Sequence, residues 1–116
     1  MIPDIYEPVL DKLSRRTARG EVVWQVSPRG DMLIVKFKEV SLSMTRGANF
    51  LHFIIMDADG NPLDEFRVNH TDTSWDMVNA LYSRARKRAP GVEKALEAFH
   101  RELDAQGVIG LKEGDN

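Results

Sequence analysis

The sequence contains no cysteine. This absence excludes disulfides, thiolate nucleophiles and cysteine-based zinc sites, and it is typical of a reducing compartment such as the cytoplasm. Neither a G-x-G-x-x-G motif nor a P-loop motif occurs, so the usual phosphate-binding loops of nucleotide enzymes are missing. The sequence therefore predicts a cytoplasmic protein with no cofactor, no metal site and no catalytic residues that can be named.

Long apolar runs and a strong net charge are also missing. The longest apolar run, residues 53–56, is far shorter than the roughly 20 residues that span a bilayer. Residues 1–7 carry early acids instead of a basic segment, so we expect neither a membrane span nor a secretory signal. The formal net charge is -2, which gives no global attraction to nucleic acid or anionic lipid.

Periodicity predicts one helix followed by a sheet. Apolar residues recur at helical spacing over residues 2–13, and Gly20 can supply the left-handed stop. Short runs of β-branched and aromatic residues follow, separated by turn residues. These candidate strands are 22–26, 32–38, 40–45, 50–56 and 63–69. The breaks between them are too short for crossover helices, so the pattern predicts an antiparallel meander.

Two further helices are predicted after the strands. Thr73 and Asp76 resemble a capping box at the start of the second helix, Asp72 or Ser74 could equally be its N-cap, and residues 89–91 end it. Its apolar stripe comprises Trp75, Val78, Leu81, Tyr82 and Ala85, and the inner face of the third helix is expected to comprise Val92, Ala95, Leu96, Phe99 and Leu103. The prediction is a single α+β domain over 1–111, with one N-terminal and two C-terminal helices packed mainly on one face of a five-stranded antiparallel meander. Residues 112–116 are expected to form a flexible polar tail.

The polar clusters of the sequence give little indication of a catalytic or metal-binding site. Asp57, Asp59, Asn61 and Asp64 surround Gly60 in a pattern that superficially resembles a calcium loop, but the closing Glu and flanking helices of such a loop are missing, so a hairpin turn is favoured. His52, His70 and His100 are too dispersed for metal ligation. His70 with Asp72 or Asp76 could be drawn as an acid-base pair, yet no nucleophile joins them. We expect the protein not to be an enzyme.

Basic residues cluster near the ends of the first two helices. The residues considered for nucleic-acid binding are Arg15, Arg16, Arg19, Arg84 and Arg88. Cations at helix C-termini are stabilising without any partner. If the two helix ends lie side by side, however, they would form a phosphate-sized patch. A small nucleic-acid-binding protein is therefore the alternative function, with the near-neutral net charge against it.

The central strands carry more apolar side chains than one buried face requires. Alternation along 50–56 places Phe50, Ile54 and Met56 on one face and Leu51, Phe53 and Ile55 on the other. The second face could be covered by a helix or by sheet curling, by a second subunit or protein partner, or by an apolar ligand. The predicted interface comprises Met32, Ile34, Phe50, His52, Ile54 and Met56. The leading hypothesis is a protein-interaction module that forms a homodimer or binds a protein partner.

Several short motifs resemble those of short, uncharacterised bacterial α+β proteins. They are residues 20–24 (Gly-Glu-Val-Val-Trp), 59–60 with 66–68, 81–82 with 85–86, and 91–96. The resemblance covers most of the chain in order. It implies an α+β fold and a bacterial setting, and it carries over no catalytic residue.

Overall fold

Five antiparallel strands form one sheet in the order of the sequence, β1-β2-β3-β4-β5. The computed structural model describes residues 1–27, 31–88, 90–105, 107–108 and 110, and not the side chains of 88 and 90–93. The strands are β1 Gln25–Val26, β2 Met32–Lys36, β3 Val40–Arg46, β4 Phe50–Asp57 and β5 Pro62–Asn69. The predicted meander is confirmed, and the tail expected at 112–116 lies outside the described residues.

Three helices accompany the sheet, one before it and two after it. They are α1 Glu7–Ala18, preceded by a 3-10 turn at Asp4–Tyr6, then α2 Trp75–Arg88 and α3 Pro90–Asp104. Pro8 lies in the first turn of α1, where its missing N–H costs nothing. Gly20 follows the end of α1 with a φ of 76°, the left-handed conformation that glycine adopts most easily.

The first strand is shorter than the predicted 22–26. The backbone N–H groups of Gly20 and Glu21 still donate to the carbonyls of Thr17 and Arg16 at the end of α1. The backbone is therefore held to the end of α1 at Glu21, the Trp24 side chain is bonded to Thr17 of the same helix, and pairing with β2 begins only at Gln25.

The core lies between one face of the sheet and the helices α1 and α2. From the sheet it contains Leu33, Val35, Leu42, Met44, Leu51, Phe53, Phe66 and Val68, and from the two helices Leu10, Leu13, Val78, Leu81, Tyr82 and Ala85. The sheet residues alternate along each strand, as period-2 geometry requires. The predicted layering is confirmed for α1 and α2.

Both α1 and α2 run from the β5 side of the sheet toward the β1–β2 side. Just before α1, the Tyr6 hydroxyl donates to Asp64 of β5 at 2.7 Å, and the end of α1 is bonded to Trp24 through Thr17. The α2 helix begins a few residues after β5, and its late residues Ser83 and Lys87 line an open cleft with Asp31 at the start of β2.

The third helix differs from the expectation. Among the described elements, α3 packs appreciably only against α2. The sequence predicts that Leu96, Phe99 and Leu103 face inward, but they are 45%, 61% and 62% exposed. Helical periodicity identifies an apolar side correctly, but it does not tell what lies against that side. In the part of the chain that the structure describes, the helix keeps its amphipathic stripe and packs appreciably against no strand.

The hydrogen bond from Trp24 Nε1 to Thr17 Oγ1, 3.2 Å long and fully buried, joins α1 to β1. We expect Thr17→Val to lower the free energy of unfolding by about 1–3 kcal/mol, because it preserves the shape and leaves the indole N–H buried without an acceptor. Urea unfolding followed by tryptophan fluorescence measures this. Thr71→Val, at an exposed position, is the control, and an equal effect from both variants would contradict the role of the bond.

Candidate functional site

The sheet has a second face, turned away from α1 and α2, which we call the open face. Strand register brings its side chains into rows across the strands, such as Ile34, Ser43, Ile54 and Glu65. The open face comprises Met32, Ile34 and Lys36 of β2, Ser41, Ser43 and Thr45 of β3, Phe50, His52, Ile54 and Met56 of β4, and Glu65 and Arg67 of β5. All six residues of the predicted interface therefore lie on one surface, and each of them is half-buried.

A row of small side chains runs along β3 in the middle of this face. The outward side chains of β3 are hydroxyl residues, whereas its neighbours β2 and β4 carry larger ones, such as Ile34 and Ile54 on either side of Ser43. Beside one end of this row lies a depression of about 370 Å³, lined in part by Lys36, Ser41 and Met56. The larger side chains of β2 and β4 therefore flank the hydroxyl row.

Ser43 is the most enclosed residue of the open face. It is only 1% exposed, although it faces away from the core. Its Oγ has no hydrogen-bond partner in the part of the chain that the structure describes. Burying a hydroxyl without a partner costs free energy. The side chains around Ser43 therefore close over it, and the middle of the open face is apolar.

Charged groups border the open face on its β5 side. His52 Nε2 lies 3.1 Å from Glu65 Oε2, and the Arg67 guanidinium lies 4.1 Å above the centroid of the Phe50 ring. The same ring lies against Gly47, where a Cβ atom would overlap it. Phe50 therefore packs against both Gly47 and Arg67, and it is less available for an interface than the sequence suggested.

A second apolar surface lies beside α1, on the helix side of the sheet. Val9 and Leu13 of α1 face Phe37 and Val40 across a cleft of about 200 Å³ with apolar walls. Val9 and Phe37 are about half exposed, at 50% and 53%. Sequence reasoning missed this cleft, because these residues fall on apolar faces that a pattern assigns to the core.

Carboxylates of the same chain lie beside the first cluster of predicted nucleic-acid-binding arginines. Arg15 is bonded to Asp11, and Arg16 and Arg19 each lie 3.6 Å from a carboxylate oxygen of Glu21. Arg84 is exposed on α2, and the Arg88 side chain lies outside the described ones. The first cluster therefore offers less positive charge to a phosphate than its sequence suggests.

Arg46, which the sequence analysis did not single out, is held against α2. Its guanidinium lies 4.9 Å from the Tyr82 ring centroid and 5.8 Å from that of Trp75, and it donates to Asn79 Oδ1. This cation stacking fixes the end of β3 to the helix. Only the fold brings these residues together, so no local pattern could have indicated it.

The sequence pair of His70 and Asp72 does not form an acid-base site. His70 is exposed. The Asp72 carboxylate instead accepts a hydrogen bond from the Asn69 N–H at 2.8 Å and lies 2.7 Å from the ammonium of Met1. These bonds lower the pKa of Asp72, with the ammonium the larger cause. Among the described residues, no group of three or more acidic or histidine side chains could hold a metal ion.

The Asp57 carboxylate organises the turn between β4 and β5. Its Oδ1 accepts the backbone N–H groups of Asn61 at 2.9 Å and Asp59 at 3.0 Å, and its Oδ2 accepts the Asn61 side-chain amide at 3.3 Å. These bonds, the one from the Asn61 backbone first, hold the pKa of Asp57 below its ordinary value of 3.8. The polar cluster is therefore a hairpin turn, as the sequence favoured.

We expect Asp57→Asn to lower the melting temperature most at neutral pH. Because the folded-state pKa is depressed below 3.8, the ionised carboxylate stabilises the fold above that value, and this contribution is lost as the pH falls through the folded-state pKa. The difference in melting temperature between wild type and variant should narrow below pH 3.8. Asp59→Asn in the same turn is the control, and a pH-independent difference for Asp57→Asn would contradict the assignment.

Comparison of the chain with protein-family models, with curated proteins and with solved structures found no match. The resemblance to short bacterial proteins thus stays a prediction. Within the described part of the chain, each helix is too short or too polar to cross a membrane.

Proposed function

We propose that this protein is a non-enzymatic interaction module that self-associates through the open face. The observation that supports this most directly is the contiguous apolar surface of Met32, Ile34, Ile54 and Met56, which lies opposite the core and is covered by neither α1 nor α2. Apolar patches of this kind mark interaction surfaces.

The free energy of dimerisation requires that several apolar side chains of the open face become buried together. Association costs at least about 4 kcal/mol of lost translational and rotational freedom. Full burial of one Ile or Met side chain contributes about 1.5–3 kcal/mol, and a half-buried one has only part of that left to gain. One side chain therefore cannot drive dimerisation, whereas a contiguous group of four can.

The other surfaces give less support to the functions that could be assigned to them. The first cluster of arginines proposed for nucleic acid is paired with carboxylates of the same chain, which weakens the attraction to phosphates. The apolar cleft beside α1 has a volume of only about 200 Å³, whereas the apolar side chains of the open face extend over β2 and β4. Nucleic-acid binding stays the alternative, and fluorescence anisotropy at low ionic strength tests it.

We expect the wild-type chain to be a dimer by sedimentation equilibrium and Ile54→Lys to raise the dissociation constant about tenfold or more, because the variant places a charge at the centre of the buried surface. Val9→Lys is the matched control: it makes the same kind of change on the helix side of the sheet, at a residue that is 50% exposed.

Circular dichroism and thermal unfolding establish that each variant is folded. If Ile54→Lys does not fold, Met32→Lys, at the border of the same face, replaces it. A wild-type chain that is monomeric at millimolar concentration would overturn the proposal. So would a dimer that Val9→Lys disrupts and a folded open-face variant does not.

A further inference from the structure

The apolar cleft beside α1 continues into a second hollow along the same helix. The apolar hollow of about 200 Å³ and a neighbouring hollow of about 520 Å³ share Val9, Leu13 and Phe37 as lining residues. The two hollows are therefore adjacent parts of one cleft, which we call the α1 cleft. The larger hollow alone lies within the range of roughly 300–1,000 Å³ that is usual for small-molecule sites.

Aromatic rings form one wall of the apolar hollow. Tyr6 and Phe66 both line it, and their rings are stacked with centroids 5.3 Å apart. Phe66 is stacked in turn on the buried ring of Phe53 at 5.0 Å, so this wall is fixed to the core. Val9 and Phe37, which also line the hollow, are 50% and 53% exposed. Part of the hollow is thus pre-formed, and its exposed side chains gain free energy when an apolar group covers them.

The volume of the apolar hollow limits the group that it can hold. An apolar cavity of about 150 Å³ binds one benzene molecule. In the same proportion, the hollow of about 200 Å³ has room for about eight carbon atoms. A helix with its side chains, about 10 Å in diameter, is far too wide. The group that fits is a single short acyl chain or one aromatic ring.

Basic side chains of α1 border the larger hollow. Lys12 and Arg16 line it together with Val9 and Leu13, because residues three, four and seven positions apart share one face of a helix. Arg16 follows Val9 by about two turns, roughly 10 Å along the helix axis. No ion pair among the described residues involves Lys12. An apolar hollow and a group of cations therefore lie side by side along one helix.

The charges at this end of the cleft do not cancel. Glu21 lines the larger hollow and lies 3.6 Å from both Arg16 and Arg19. With Lys12, three cations stand against this one carboxylate, which leaves an excess of two positive charges. The α1 macrodipole opposes this excess with only about half a negative charge. Lys36 also lines the hollow, but strand alternation places its side chain on the open face.

We infer that the α1 cleft binds a small amphiphilic anion, of which a medium-chain carboxylate is the simplest. Its chain of about eight carbon atoms fills the apolar hollow, and its carboxylate lies beside Lys12 and Arg16. Charge-assisted hydrogen bonds to cations are the usual way in which proteins hold carboxylates. The α1 cleft is on the helix side of the sheet, so this site is separate from the proposed self-association through the open face.

Isothermal titration calorimetry of the full chain with octanoate tests the site. Octanoate should bind with a dissociation constant of about 1 mM or lower. The uncharged alcohol octanol should bind about threefold more weakly, and acetate, which has no chain, should give no measurable binding. Lys12→Gln should weaken octanoate about threefold and leave octanol unchanged. Lys94→Gln, at an exposed position on α3, is the matched control.

A second variant tests the apolar hollow. Val9→Trp fills the hollow and should weaken octanoate and octanol alike, about tenfold or more. Ile5→Trp is its control, because Ile5 is 73% exposed just before α1 and is not a lining residue of the cleft. Circular dichroism establishes that the variants are folded. Val40→Trp, at a lining residue that is 40% exposed, replaces Val9→Trp if the latter does not fold.

The outcomes separate this inference from the proposed function. No octanoate binding at millimolar concentration overturns the inference, and so does binding that a folded hollow-filling variant or Lys12→Gln leaves unchanged. Ile54→Lys, on the open face, should not alter octanoate affinity, and a loss equal to that of Val9→Trp would place octanoate on the open face and overturn the inference. A monomeric wild type that binds octanoate in the α1 cleft would remove the proposed function alone.

Discussion

The pairing of β4 with both of its neighbours determines where the apolar side chains of this protein can go. A strand paired on two edges cannot rotate, so its residues must alternate between the two faces of the sheet. Leu51 and Phe53 enter the core, and His52 and Ile54 point the other way. Because β4 is apolar on both sides, filling the core leaves an apolar surface on the outside.

The helix layer cannot cover that surface. Helices α1 and α2 lie side by side on the core face, and their buried stripes contact the sheet residues that alternate inward. The third helix follows α2, and among the described elements it packs appreciably only against α2. Within the described residues, the second sheet face therefore packs against neither α1 nor α2, and Leu96, Phe99 and Leu103 of α3 stay exposed.

Much of this arrangement could be predicted from the sequence, because it depends on the short hydrophobic periods of strands and helices. Alternation along β4 assigns Ile54 and Phe53 to opposite faces of the sheet, and the short turns imply that neighbouring strands are antiparallel. Both predictions are confirmed. The exposure of Phe99 could not be predicted, since periodicity finds an apolar stripe without its partner. The stacking of Arg46 on Tyr82 depends on tertiary positions, and the pairing of Arg16 with Glu21 depends on how the chain turns at the end of α1. Whether the open face is an interface depends on which molecules bind to it, and hydrophobic periodicity carries no information about binding partners.

The hydroxyl row on β3 bears on the kind of surface that the open face presents. Ser43 lies between Ile34 and Ile54, and at 1% exposure it is covered by its neighbours. A partner at the middle of this face would therefore meet the apolar side chains of β2 and β4 and not the Ser43 hydroxyl. Such side chains pack well against a second surface when the two sets interdigitate. On the β5 side, Glu65 and Arg67 are exposed and charged, as is typical of the rim of an interface. The apolar part of the proposed interface is thus limited to β2, β3 and β4.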